Sequence, residues 1–270
     1  MPASFWERAN DIKNRAFPYR LTRFVRARLS NLASNALTLV EEPRVRAAWA
    51  RNWEQDHYVR LLRYYDEGFR PKVIYDIGGH QGLWAEMAQA IFNPDGIIVF
   101  EPQKSLHSVI DQRRRPSGSW QILDVALGDR DEARDMHVTD NEAASSLLQP
   151  VTSGVPETWR TNVVSSTKVA VRTLDNLARE LNLPKPDFVK IDVQGFEGQV
   201  LKGGASTFPH ARRMVVEVSL REIYQGQAYV PEILAQANEL GFALEDINDA
   251  VRDHSGRLWQ ADLWLRRKQS

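Results

Sequence analysis

Lys72 Val73 Ile74 Tyr75 Asp76 Ile77 Gly78 Gly79 His80 Gln81 Gly82 is the stretch on which the fold turns. Apolar residues run from Val73 to Ile77 with only Asp76 among them, as in a parallel strand covered on both faces. The glycines that follow allow a tight turn, bringing backbone close to a ligand where the next helix opens, read here over Leu83 to Ala90. A second short strand, Ile97 Ile98 Val99 Phe100, ends at Glu101, where a carboxylate can accept both ribose hydroxyls of a nucleoside. Two strands thus aim their carboxyl ends at one crevice. A dinucleotide fingerprint starting at Gly78 would need glycine at positions 80 and 83, where His80 and Leu83 stand. The pyrophosphate cradle is missing, and a nicotinamide dinucleotide is disfavoured.

Strand and helix signals then alternate in the βαβ manner. Leu106 to Arg113 reads as a helix and Trp120 to Gly128 as a third strand running into a turn. From Arg130 to Thr167 the pattern is irregular and polar, the mark of an inserted functional loop. Val169 Ala170 Val171 is a short strand, and Thr173 N-caps the helix begun by Leu174, which Pro184 and Pro186 close. Asp187 Phe188 Val189 Lys190 Ile191 Asp192 Val193 Gln194 Gly195 Phe196 Glu197 Gly198 is the second informative stretch. Its strand carries Asp192 to the carboxyl end beside the first strand, where a carboxylate faces the same crevice. Glu197 opens the next helix and serves either the chemistry or the helix N-terminus. Whether Lys190 shares a site with Asp192 is left open by the strand pattern. A fifth strand, Arg213 to Val218, places Glu217 near a strand end, where a buried charge requires a partner. Pro231 to Leu240 is an amphipathic helix, and Phe242 Ala243 Leu244 and Asp262 to Arg266 are strands closing one sheet edge.

Residues 1–68 lie apart from this pattern as a helical extension. Leu21, Val25, Leu29, Leu32 and Ala36 recur at helical spacing beside Arg20, Arg23, Arg26 and Arg28. The basic face suits an anionic membrane surface or an acidic partner, but a helix packed with its arginines solvated is the simpler reading. A second helix is read over Pro43 to Tyr65; its Trp49, Trp53 and Tyr64 serve as core or as a roof over the site. The 35 basic and 35 acidic residues cancel, so no overall field recruits nucleic acid. With no cysteine, disulfides, thiolate metal sites and a cysteine nucleophile are all excluded. Charges at Glu7, Arg8, Asp11 and Lys13 interrupt any signal-peptide core, and the expectation is a soluble cytoplasmic protein with a homodimer left open.

Taken in order, the motifs resemble the FkbM family of S-adenosylmethionine-dependent methyltransferases over roughly residues 70–268. Asp76 to Gly82 resembles the family's first motif, Val99 Phe100 Glu101 Pro102 its second, and Val125 Ala126 Leu127 Gly128 Asp129 its third. Ser145 Ser146 Leu147, Val171 to Asp175, Val189 to Glu197, and Leu201 Lys202 Gly203 Gly204 continue the match. The resemblance implies an α/β, Rossmann-like class I methyltransferase fold, with a mostly parallel seven-stranded sheet flanked by helices over residues 69–270. It implies S-adenosylmethionine as cofactor, held by Asp76, Gly78, Gly79, His80, Gly82, Glu101, Pro102, Asp124, Ala126 and Asp192. In such enzymes an acidic residue near the third strand, here Asp124, approaches the adenine amino group, although a turn-capping aspartate fits the position equally. His80 stands where the family commonly has Asn, and both residues enter left-handed backbone conformations readily.

The implied reaction is O-methylation of a sugar, polyketide or other secondary metabolite bearing a free hydroxyl. Asp192, Glu217 and Glu197 are then the candidate catalytic residues. Asp192 and Glu217 either take the hydroxyl proton or jointly hold a divalent cation, Mg²⁺ or Ca²⁺. The rival from another class is a scaffold that binds the cofactor without catalysis. Intact Glu101 and Asp192 argue against it.

Overall fold

The computed structural model describes residues 51–114, 119–151, 153–156, 159 and 161–268. The N-terminal amphipathic stretch, Trp49 and the first part of the Pro43 to Tyr65 helix lie outside the described residues. The chain divides into two compact units, Met1–Gln55 and Asp56–Ser270. Arg51 and Asn52 form a turn, with Asn52 at φ 55°, and the helix α1 begins only at Gln55, running Gln55–Asp66. A single helix from Pro43 to Tyr65 is therefore corrected: the left-handed residue breaks it.

The second unit is built on a seven-stranded sheet of order β3-β2-β1-β7-β8-β10-β9. Its strands are β1 (Val73–Ile77), β2 (Gly96–Phe100), β3 (Ser119–Leu123), β7 (Phe188–Ile191), β8 (Arg213–Ser219), β9 (Phe242–Arg252) and β10 (Leu258–Arg267). The first five in that order pair in parallel, and β10 runs antiparallel to both its neighbours. The helices are α2 (Leu83–Phe92), α3 (Lys104–Arg113), α4 (Leu174–Glu180), α5 (Glu197–Gly203) and α6 (Val230–Glu239). Ile74 to Ile77 and Phe188 to Ile191 are buried along their whole length, which is why these strands read as unbroken runs. The order reverses between β1 and β7, so a crevice opens where the turns after them diverge.

The expected third strand is two elements. β3 stops at Leu123, and Ala126–Leu127 forms β4 in a separate three-stranded sheet of order β4-β6-β5. The polar stretch from Arg130 is not an irregular loop throughout: Glu132–Thr139 is β5 and Val163–Arg172 is β6, paired antiparallel. Charged and hydroxyl residues conceal this pair because most of β6 faces solvent. The strand around Leu244 likewise extends to Arg252 in the hairpin with β10.

Tyr64 is core and no roof. Its ring packs edge-on against Phe69, Phe188 and Trp264, toward the amino end of β7, and its hydroxyl donates to Glu245 at 2.7 Å. Among the described residues, no helix is long and apolar enough to cross a membrane.

Candidate active site at the carboxyl edge of the sheet

Asp76, one residue before the end of β1, is fully buried, and neither carboxylate oxygen has a hydrogen-bond partner among the described residues. Lys190 Nζ stands 3.7 Å from Oδ1. Burial pushes this carboxyl above its ordinary range, and Lys190 only partly offsets it. The turn beyond is held by its backbone: the Gly78 and Gly79 amides both donate to the Phe100 carbonyl, at 3.0 and 3.2 Å. At Gly78, φ is 79° and a Cβ would lie 1.8 Å from the Asp192 carbonyl oxygen, so only glycine fits between β1 and the turn after β7. His80 takes φ 45°, as its conformational reading expects, and its amide donates to Glu101 Oε2 at 2.8 Å. The imidazole Nε2 lies 3.6 Å from Glu142 Oε2, in the insertion between β5 and β6.

Glu101, 3% exposed, accepts the His80 amide on one oxygen and the Gln103 amide on the other, each at 2.8 Å. Each oxygen keeps a further lone pair. Burial raises the carboxyl to about 7 against the pull of those two amides. Asp124 follows β3 and ion-pairs with Lys104 at 2.8 Å in a partly exposed position. Ala126 is buried in β4, and Pro102 is half-buried beside Glu101.

The turn after β7 carries the third acid. Lys190 and Asp192 share one side, with Nζ 3.1 Å from Asp192 Oδ2, which answers the question the strand pattern left open. Burial disfavours the Lys190 ammonium, but Asp192 and Asp76 outweigh it and hold the proton firmly. Burial likewise works against the Asp192 carboxylate, yet Lys190 and the Gln194 amide bring it below the ordinary range. Gln194 Nε2 donates to Asp192 Oδ1 at 2.8 Å and to Glu217 Oε2 at 2.7 Å. Gln260 on β10 adds a second donor to Glu217 Oε2 at 3.0 Å. Burial and then Asp192 push the Glu217 carboxyl well above its ordinary range. Glu217 therefore has the partners its burial demands.

Glu197, 3% exposed, accepts the Val193 and Gly195 amides on Oε1 at 3.1 and 3.0 Å. Its carboxyl, raised by burial to about 7, braces the turn from within. Ser146 ties the insertion to the same turn, its hydroxyl donating to the Gln194 carbonyl at 2.6 Å.

The structure thus brings Asp76, Glu101, Asp192 and Glu217 to the carboxyl edge of neighbouring strands, with Glu197 behind them. Gln194, Tyr224 and Gln260 were not singled out by sequence. Gln194 sits inside the β7 motif and was legible as a polar turn residue; Tyr224 and Gln260 carry no local signal, since a loop and an antiparallel strand deliver them. Among the described residues, no three His, Asp or Glu side chains form a metal-binding group. Asp192 and Glu217 also fit a divalent ion poorly, because Lys190, Gln194 and Gln260 point their hydrogens at oxygens such an ion would need.

A family model described as the methyltransferase FkbM domain matches residues 76–244. The 2-O-methyltransferase NoeI of Sinorhizobium fredii is 27% identical over 169 residues, covering 60% of this chain and 69% of NoeI. The hexuronic acid methyltransferase AglP of Haloferax volcanii is 24% identical over 166 residues, covering 61% of this chain and 62% of AglP. Among solved structures, methyltransferase FkbM from Methylobacillus flagellatus is 13% identical with a TM-score of 0.43, over 72% of this chain and 43% of that one. The match of the family model across most of the α/β unit, on a crevice lined by the acids just described, makes this chain a member of the FkbM methyltransferase family.

Proposed function

We propose that this chain transfers the methyl group of S-adenosylmethionine to a hydroxyl oxygen of a glycan or related metabolite, with Asp192 and Glu217 receiving the hydroxyl proton. The observation that carries the reading is the set of acids at the ends of β1, β2 and β7, each in a different bonding state. Glu101 keeps one open lone pair on each oxygen, matching two ribose hydroxyls. Asp76 is a fully buried carboxyl beside the glycine turn with the Lys190 ammonium 3.7 Å away and no hydrogen bond of ordinary length on either oxygen, so it can take a further donor. The ammonium of the cofactor's amino acid end, or a water it carries, is such a donor.

The cofactor supplies an activated sulfonium methyl; the chain's part is alignment and proton management. Bound there, the cofactor would give its methyl group to the acceptor oxygen and be released as S-adenosylhomocysteine, while the Asp192–Glu217 pair would take the hydroxyl proton. Alignment can lower such a barrier by about 7 to 11 kcal/mol, and a positioned base adds about a hundredfold to ten-thousandfold. A hydroxyl acceptor is supported by the name of NoeI, a 2-O-methyltransferase, and a sugar-acid acceptor by that of AglP, a hexuronic acid methyltransferase. Because Lys190, Gln194 and Gln260 already occupy both oxygens of Asp192 and one of Glu217, transfer is expected to persist after exhaustive chelation. Loss on chelation with recovery on Mg²⁺ would restore the two-carboxylate cation site.

Calorimetric titration with S-adenosylmethionine and S-adenosylhomocysteine, with NAD as control, tests the cofactor site. Micromolar binding that Glu101→Ala abolishes is expected, with no heat from NAD. A radiolabelled methyl donor with a panel of pyranosides and uronic acids then tests the acceptor. Binding without transfer to any hydroxyl would favour the scaffold reading.

A further inference from the structure

Resting on that reading, we propose that Gln194 is the positioning residue of the acceptor side, a single amide that holds Asp192 and Glu217 together as one proton-accepting pair. Both hydrogens of Nε2 are used, one on each acid, at 2.8 and 2.7 Å. A carboxylate only accepts, so the amide has one workable orientation, with Oε1 turned away toward a donor. The Tyr224 hydroxyl stands there, 2.9 Å from Oε1 and also 2.9 Å from the Ala144 carbonyl.

The backbone is committed to this placement as well. Gln194 has φ 56°, in the left-handed region that a non-glycine residue enters only against steric strain. Its carbonyl accepts from Ser146, and Glu197 receives the amides on either side of it, from Val193 and Gly195. Strain held in place by Ser146 and Glu197, at a residue touching two candidate catalytic acids, is the signature of a positioned group and not of a relaxed turn.

The division of contacts defines the pair. Lys190 engages Oδ2 of Asp192 and Gln194 engages Oδ1, while both amide donors to Glu217 fall on Oε2. Because burial and Asp192 push Glu217 toward its neutral form, ionised Asp192 is the member of the pair that takes the incoming proton. Among the described residues, Gln194 is the one side chain that hydrogen-bonds both acids, so its loss lets them move apart and makes the Asp192 charge costlier to keep.

The test uses the full chain with carbon-13 in the carboxyl groups of Asp and Glu. Spectra of Asp192→Asn and Glu217→Gln assign the two resonances. Gln194→Met keeps length and removes both donors. It is expected to raise the Asp192 titration midpoint by about one pH unit, since a hydrogen bond to the charged form is lost. Tyr224→Phe should move the midpoint less, in the same direction, and add nothing in the Gln194→Met background. The kcat for methyl transfer should fall about a hundredfold with the KM for S-adenosylmethionine unchanged. An unmoved midpoint in Gln194→Met that still binds S-adenosylhomocysteine, or additive effects in the double variant, overturns the proposal. If Gln194→Met does not fold, an unmoved midpoint in Tyr224→Phe overturns it instead. A shifted midpoint in a protein that methylates no hydroxyl refutes the acceptor reading and leaves the pairing intact.

Discussion

Asp192, Glu101 and Glu197 are all acids near one edge of a sheet, and what touches each sets its task. Asp192 faces Lys190 and Gln194 and stays ionised. Asp192→Asn keeps the shape and removes the charge, so transfer is expected to fall at least a hundredfold with S-adenosylhomocysteine affinity nearly unchanged, read by initial rates and calorimetry. In the proposed role Glu101 must be ionised to accept two ribose hydroxyls, and burial has raised it to about 7. Cofactor affinity is therefore expected to weaken as pH falls below about 7, and Glu101→Gln should flatten that dependence while lowering affinity throughout. Glu101 and Glu197 both titrate near 7 in the fold, above the value of an unfolded glutamate. In that window the folded chain binds more protons, so their stabilisation is complete below the unfolded value and lost as pH rises through about 7. Urea unfolding at pH 5 and pH 8 should show this loss for the free protein, and Glu197→Gln should reduce it.

At the scale of elements, the site is made by turns gripping one another. The turn after β1 is wedged between the end of β2 and the turn after β7, through Gly78 and the Phe100 carbonyl. The turn after β7 is held by Glu197 from its own helix and by Ser146 from the insertion. At the far end of that helix, a Cβ on Gly203 would lie 1.9 Å from the Gly128 carbonyl oxygen. Backbone cannot yield as a side chain does, so Gly203→Ala is expected to cost about 1 to 3 kcal/mol by denaturant unfolding. The elements legible in the chain were those whose burial is uniform: β1, β2, β7 and β8 read as apolar runs because both faces are covered. β5 and most of β6 were illegible because their polar side chains look outward, and nothing in hydroxyl and charged residues marks a strand.

At the scale of the whole molecule, the second unit joins the seven-stranded sheet to the three-stranded one through an apolar cluster. Leu147 and Leu148 of the insertion meet Phe196, Tyr224 and Trp259 there. The cluster holds Tyr224 at the Gln194 amide. On the other side of the sheet edge, His57 of α1 bonds Asp262 of β10 at 2.7 Å, and Asp262 lies opposite Glu217 in the strand register. Removal of the imidazole by His57→Leu would leave Asp262 without that bond beside Glu217, and a loss of about 3 kcal/mol or more is expected by urea unfolding. Binding at the assembled edge stabilises the whole unit: at a hundredfold excess over Kd, S-adenosylhomocysteine should add about 2.7 kcal/mol, seen as a rise of several degrees in Tm. Glu101→Ala should erase that rise.

The chain itself determined the parallel α/β core, the glycine turn and the acids at Glu101 and Asp192. Each is encoded within a few consecutive residues as an apolar run ending in glycine or a carboxylate. Tertiary structure alone decided what those acids are worth. Asp76 is buried with the Lys190 ammonium 3.7 Å away, Asp192 is held charged by Lys190 and Gln194, and Glu217 is pushed toward its neutral form by burial and by Asp192, with Asp262 of β10 adding to it. Burial and the distance to another charge set these states, and both are properties of packing between segments far apart in the chain.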